Sequence, residues 1–268
     1  MEGEDQIPQT SLRRSWAIQR RIVTALILRE MLTRYGRHNI GFLWLFVEPM
    51  VFTIGVTLVW TAFRNVHGSD LPIAAFAVTG YSSVLVWRNI PSRSIGAIEP
   101  NLSLMYHRNV KALDILVARI LLEVLGVGVS FFVLSIFFSA IGWVSAPENP
   151  YLVLEGWLAL AWFGMAMGMF LGAFSLRSEL VDKFFHPFTY LMFPFSGAAW
   201  LAEAAPATMR PYLMYVPMIH GVEWVRDGFF GSHFTAMYSP MYLISWNMVL
   251  TFFGLVELRN AKRHIVPQ

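Results

Sequence analysis

The stretch Arg34-Tyr35-Gly36-Arg37-His38-Asn39-Ile40-Gly41-Phe42-Leu43-Trp44-Leu45-Phe46-Val47-Glu48-Pro49-Met50 decides how this chain is read. Its first half is basic, aromatic and turn-like. Its second half opens an apolar run of membrane length that carries a Glu-Pro pair about two turns in. Arginines and a tyrosine at a membrane boundary suit phosphates and anionic head groups, because a guanidinium makes short charge-assisted bonds to oxyanions. A carboxylate and a proline inside the apolar run belong on a helix side facing protein or water, since lipid satisfies neither an ionised oxygen nor a freed carbonyl. Such a stretch predicts the cytoplasmic mouth of a transport path.

Working outward, 56% of the 268 residues are apolar and only 14% are charged, with a positive mean hydropathy of +0.52. That composition excludes an ordinary soluble protein and predicts an all-α integral membrane protein. The basic residues are dealt out to particular loops, so the high pI does not point to nucleic acid. Cysteine is absent, which removes disulfides, thiolate metal sites and cysteine nucleophiles. The acidic start, Met1-Glu2-Gly3-Glu4-Asp5, precedes no early apolar core, so no cleaved signal peptide is expected.

A membrane helix needs about 20 mostly apolar residues. Runs of that kind are expected near 40–63, 71–90, 116–142, 151–175, 184–202 and 239–258. With both termini cytoplasmic, 17 of the 20 Lys and Arg residues fall on the cytoplasmic side, and only Arg64, Arg210 and Arg226 lie opposite. The positive-inside rule favours that six-span arrangement over five or seven. Residues 11–33 are expected to form an interface helix, with Leu12, Trp16, Ile22, Val23, Leu26 and Ile27 on one side and Arg13, Arg14, Arg20 and Arg21 on the other. The fifth span is broken by His186-Pro187 and Phe193-Pro194. The Pro- and Gly-rich stretch 203–235 after it predicts short re-entrant helices on the outer face or, in the plainer reading, an outer loop.

No catalytic apparatus is legible. The chain has no Gly-x-x-x-x-Gly-Lys-Ser/Thr loop for a nucleotide, no complete nucleophile elbow and no histidine pair at helical spacing for a metal. Glu48 and Glu123 are the carboxylates deepest in expected spans, and structural pairing or a hydrated path is preferred to proton coupling; Glu155 and Glu257 fall nearer interfaces. Gly164, Gly168 and Gly172 recur every four residues, which permits close helix packing, with a partner in the same or another subunit. In the cytoplasmic loop 98–111, Glu99, Asn101, Leu102, Met105, Tyr106 and Arg108 suggest a short surface helix offered to a soluble partner.

Leu28-Arg29-Glu30-Met31-Leu32-Thr33-Arg34-Tyr35-Gly36-Arg37, then Gly41-Phe42-Leu43-Trp44 and Glu48-Pro49, followed by six spans and a Pro-rich turn after the fifth, resembles the membrane subunit of type-2 ATP-binding-cassette (ABC) exporters of bacterial surface polysaccharides. Capsular-polysaccharide permeases of the KpsM type look most alike, with O-antigen and teichoic-acid permeases as relatives. The resemblance implies an interface helix over 11–33, a gate region over 34–40, a coupling helix within 98–111 and outer re-entrant helices over 203–235. It also implies a homodimer in the bacterial inner membrane, working with two cytoplasmic ATPase subunits that hold ATP and Mg. The cargo would be a lipid-linked glycan, passed toward a periplasmic adaptor and an outer-membrane exit protein. Arg34 and Arg37 are then expected to engage phosphate or acidic sugars, Tyr35 to stack near the mouth, and Trp44 and Glu48 to line the early path. A permease of the same fold for a drug or a lipid is the main alternative. An ion-coupled carrier is the distant one, for which paired intramembrane charges and inverted halves would be expected.

Overall fold

The computed structural model describes residues 12–36, 41–62, 71–107 and 110–265, and every regular element among them is helical. The helices are α1 (Leu12–Tyr35), α2 (Trp44–Ala62), α3 (Ile73–Ser94), α4 (Leu102–His107), α5 (Ala112–Ala140), α6 (Pro150–Phe174), α7 (Leu180–Met192), α8 (Arg210–Leu213), α9 (Pro217–Phe230) and α10 (Pro240–Ile265). Single 3-10 turns link several of them. Among the described residues four stretches are long and apolar enough to cross a membrane: α2, α5, α6 and residues Pro240–Asn260 of α10.

α3 is long enough to cross but less apolar, and its place in the fold explains why. Every residue from Ala74 to Trp87 is buried, enclosed by α2, α5, α6 and α9. A helix that meets protein on all sides has no need of large lipid-facing side chains, so it carries Ala, Gly, Ser and Thr. Its hydroxyls bond back to their own helix, Thr79 to the Ala75 carbonyl at 2.8 Å and Ser83 to the Thr79 carbonyl at 2.6 Å.

α6 packs on α3 through the glycine seam. A Cβ on Gly164 would sit 2.9 Å from the Val86 carbonyl, one on Gly168 2.8 Å from Ser94 Oγ, and one on Gly172 2.8 Å from the Ser94 carbonyl. The seam therefore faces a helix of the same chain. On another side α6 meets α9 in antiparallel register: Cβ atoms on Gly156, Gly221 and Gly228 would strike Val225, Leu160 and Val153 respectively. α10 runs parallel to α6, where Asn247 Nδ2 donates to the Ala159 carbonyl at 2.9 Å and Trp162 Nε1 to Thr251 Oγ1 at 3.1 Å.

One boundary differs from the sequence expectation. The fifth apolar run ends as a helix at Met192, so α7 has 13 residues, about 20 Å at 1.5 Å per residue. Pro194 and the left-handed Gly197 (φ 78°) turn the chain there, beside Gly80 of α3, where a side chain would collide with the Ala198 carbonyl. The segment that follows is two short helices, α8 and the almost wholly buried α9, rather than an open loop.

Candidate functional site

At the mouth anticipated from the sequence, four helices meet in an ion cluster. α1 carries Glu30 and Arg34 one turn apart, and α5 carries Arg119 and Glu123 one turn apart in the opposite order. The two helices run side by side here, so the doublets pair crosswise. Arg119 Nε lies 2.9 Å from Glu30 Oε1, and Arg34 Nη1 donates to Glu123 Oε1. Arg93 at the end of α3 completes the set, with Nε 3.9 Å from Glu123 and Nη2 3.5 Å from Glu48 on α2. Arg119 Nη1 donates to the Arg93 carbonyl at 3.0 Å. Glu123 is nearly buried, with 5% of its side chain exposed, whereas Arg93 retains 45%. An ionised carboxylate so deep is costly without partners, and the two guanidiniums supply them.

A cavity of about 300 Å³ lies against this cluster, lined by Glu30, Thr33, Arg34, Arg93 and Arg119. Sequence reasoning named Arg34, Glu48 and Glu123 but not Glu30, Arg93 or Arg119. The signal was present in the mirrored Glu-x-x-x-Arg and Arg-x-x-x-Glu doublets. Trp44 stands at the start of α2 and is half-exposed (54%). Arg37 lies outside the described residues, as does the side chain of Tyr35.

Pro49 shapes the start of α2. It lacks the N–H that would bond the Leu45 carbonyl, and Gly126 lets α5 approach that carbonyl closely. Ser130 of α5 donates to the neighbouring Phe46 carbonyl at 2.6 Å. Below it Leu45, Pro49, Thr53 and Thr57 form a buried stripe every four residues.

The loop after α3 makes a 3-10 turn at Glu99–Asn101 and then the six-residue α4. Asn101 is buried, donates to the Ala97 carbonyl at 2.8 Å and accepts from Arg29 of α1. Leu102 and Met105 pack inward against the core. Glu99 and Tyr106, with Ser103, face outward. Arg108 lies outside the described residues. α1 is also bound to the foot of α5, where Gln19 donates to Asp114, whose carboxylate accepts from Lys111 N at 2.9 Å and caps the helix. The candidate coupling residues and the candidate mouth residues are thus joined through one helix, α1.

At the other end of the molecule Arg226 of α9, which the charge count sets on the outer side, is fully buried. It donates to the carbonyls of Gly197, Ala198 (2.8 Å) and Trp200 (3.4 Å), lies 3.9 Å over the Phe76 ring and sits 3.8 Å from Glu223. Glu223 in turn accepts from Met237 N at 3.2 Å and Ala202 N at 3.4 Å. His220 Nδ1 accepts from Ser239 N at 3.0 Å, which fixes its proton on Nε2 toward the Met214 carbonyl at 2.9 Å. Burial lowers its pKa and keeps the ring neutral. Burial and the bond to Asp227 raise the pKa of the Tyr238 hydroxyl above its ordinary value. These contacts fasten the segment after α7 to α9 and α3.

The sequence profile described as "ABC-2 type transporter" matches residues 21–230. The chain is 40% identical over 260 residues to the capsule polysaccharide export inner-membrane protein CtrC of Neisseria meningitidis serogroup B, covering 97% of this chain and 98% of that one. It is 38% identical over 260 residues to the capsule polysaccharide export inner-membrane protein BexB of Haemophilus influenzae, with 97% and 98% covered. With the polysialic acid transport protein KpsM of Escherichia coli it shares 28% identity over 251 residues, covering 93% and 97%.

Proposed function

Because this chain belongs to the ABC-2 type transporter family of membrane proteins, we propose that it is the permease subunit of an ATP-driven exporter that carries capsular polysaccharide across the bacterial inner membrane. The observation that carries this reading is the end-to-end likeness, at 38–40% identity, to two capsule polysaccharide export proteins. A drug or lipid permease of the same family has no such relative behind it here.

In this reading the chain crosses the membrane six times with both termini cytoplasmic, α3 and α7 adding to the four membrane-length helices. The segment over α8 and α9 forms the outer re-entrant pair. The antiparallel register of α9 on the outer half of α6 supports this, since α9 begins opposite Leu160 and ends opposite Val153. The permease works as a homodimer. α7 presents exposed Leu180, Phe184, Phe188 and Leu191 along one side while burying little more than Phe185 and Thr189, a face suited to a second copy.

Hydrolysis of Mg-ATP falls to two cytoplasmic ATPase subunits, which dock on the outward side of α4, where Glu99, Ser103 and Tyr106 stand. Asn101, held by Arg29, carries the displacement into α1, and the Glu30–Arg119 and Arg34–Glu123 pairs carry it to the mouth. An anionic group of a lipid-linked glycan, arriving at the cavity beside Arg34, Arg93 and Arg119, competes with the glutamates for these guanidiniums. The weakly held Arg93 yields first. Arg37 and Tyr35 extend this basic mouth, with Trp44 and Glu48 along the path beyond it. A periplasmic adaptor and an outer-membrane exit protein receive the polymer.

The test is co-purification of the chain with an ATPase subunit encoded beside it, together with ATP-dependent display of polysaccharide in cells deleted for the native permease. Association and restored capsule are expected. A chain that binds no ATPase, or that supports drug efflux but no capsule, would overturn the reading.

A further inference from the structure

Two cavities at the end of the molecule opposite the ion cluster adjoin each other and differ sharply in chemistry. The larger, about 840 Å³, lies between the start of α3, the α5–α6 connection, residues 201–204 and the strap 232–235 after α9. Its ionisable lining residues are Glu148, Glu203 and His233, with no Lys or Arg among the described ones. Each carboxylate holds one end of the strap. Glu148 accepts from Ser232 N and Ser232 Oγ, both at 3.1 Å, and Glu203 accepts from Thr235 N at 3.2 Å. A carboxylate offers about four lone-pair sites, so both keep acceptor capacity toward the cavity. His233 Nε2 stands 3.5 Å from Glu148 and is largely exposed.

The second cavity, about 530 Å³, is an apolar groove between the end of α5 and the start of α6. Its only hydroxyls are Ser135, bonded back to the Phe131 carbonyl at 2.8 Å, and Ser139. Ile136 and Phe132 open it to the bilayer side, at 69% and 42% exposure. Ala146 and Phe229 line both cavities, and the segment 145–150 runs between them. Both volumes fall within the roughly 300–1,000 Å³ usual for ligand pockets.

An apolar groove exposed along α5 and sharing Ala146 and Phe229 with an acidic polar chamber fits an amphiphile with a hydrocarbon tail and a cationic head. We infer that this pair of cavities is a binding site for a phospholipid with a primary ammonium head group, an acyl chain lying in the α5–α6 groove and the ammonium between Glu148 and Glu203. Three ammonium N–H donors match acceptors contributed by two carboxylates, while the Ser145 hydroxyl and the His233 ring meet the phosphate. A purely anionic head would face two carboxylates with no Lys or Arg among the described lining residues to offset them, the nearby Arg210 guanidinium being held by the Glu203 and Ala205 carbonyls. The leaflet, the outer one, follows from the proposed orientation; the lipid preference does not depend on it or on the cargo.

The test uses the full-length chain reconstituted in nanodiscs of equal phosphatidylethanolamine and phosphatidylglycerol, extracted into detergent, with retained lipid measured by native mass spectrometry. The wild type is expected to retain phosphatidylethanolamine in excess, and E148Q/E203Q to lower that ratio by about fivefold or more, as loss of charge-assisted bonds implies. Because both glutamates also hold the strap, H233K serves as the second variant. It leaves the strap bonds in place, sets a fixed cation beside Glu148 and should turn the preference toward phosphatidylglycerol. Ala140→Phe, which fills the groove, should reduce retention of both lipids. Equal retention by the wild type, an unchanged ratio in H233K, or displacement of the lipid by free glucosamine, which would mark a sugar site, overturns the inference.

Discussion

At the scale of single residues, the decisive contact is the one between Arg34 and Glu123. Read in the sequence, Arg34 is a cation at a membrane boundary, free to meet an anionic cargo. In the fold its guanidinium is already engaged by a carboxylate with 5% exposure, so its meaning changes from a waiting charge to an exchangeable one. Removing Arg34 alone leaves Glu123, among the described residues, with only the distant Arg93, and breaking a pair so buried costs about 3–5 kcal/mol. Arg34→Gln is therefore expected to lower the thermal stability of the detergent-purified chain and to reduce export. R34Q/E123Q, which removes both charges, should recover most of the stability but not the export, because the guanidinium proposed to compete for the anion is still missing. Stability measured by thermal unfolding and capsule measured on cells separate the two effects. If the double variant exports like the wild type, Arg34 serves only to anchor α1. The pairing was legible in principle from the mirrored doublets on α1 and α5. What the sequence could not supply is that these two helices lie side by side in matching direction, which depends on tertiary packing.

At the scale of elements, the chain separates into helices whose apolarity reports what they touch. α2, α5, α6 and α10 are the long, apolar helices, and the length of their apolar runs is what brought them out in the sequence. α7 ran shorter than its apolar run because Pro194 and Gly197 end it, and hydropathy alone does not register a stop made by backbone geometry. The glycine seam was visible as a four-residue repeat, yet only the fold identifies α3 as what it packs on. Gly168→Val puts branched carbon where a single Cβ would already lie 2.8 Å from Ser94 Oγ. Overpacking of this kind costs about 1–3 kcal/mol, and pushing α6 from α3 should lower the unfolding temperature and the yield of folded protein. Gly128→Val on α5 is the comparison, since a Cβ there meets nothing nearer than 3.6 Å. Equal loss in both variants would mean that the seam does not set the α3–α6 distance.

At the scale of the whole molecule, two polar assemblies sit at opposite ends of an apolar bundle. The ion cluster binds α1, α2, α3 and α5 at one end, and Arg226 with Glu223 binds the segment after α7 to α9 and α3 at the other. Composition was enough to read the class, and charge placement is what assigns the ion-cluster end to the cytoplasm in the proposed orientation. The charge count set Arg226 on the outer side without registering that it is buried, because a positive-inside count weighs a residue's side and not its depth. α3 is the one element common to both assemblies, and its small, hydroxyl-rich surface has a consequence for how the chain is made. During synthesis α3 meets the bilayer before α5, α6 and α9 exist to enclose it, and its residues give little gain on transfer to hydrocarbon. Its membrane integration should then be postponed until later helices leave the ribosome. A reporter of membrane side fused after Ser94 is expected to show mixed orientation, and the same reporter fused after Phe174 a single one. Uniform orientation at both points would mean that α3 is integrated unaided, so this test separates what holds the helix in the finished protein from what places it there.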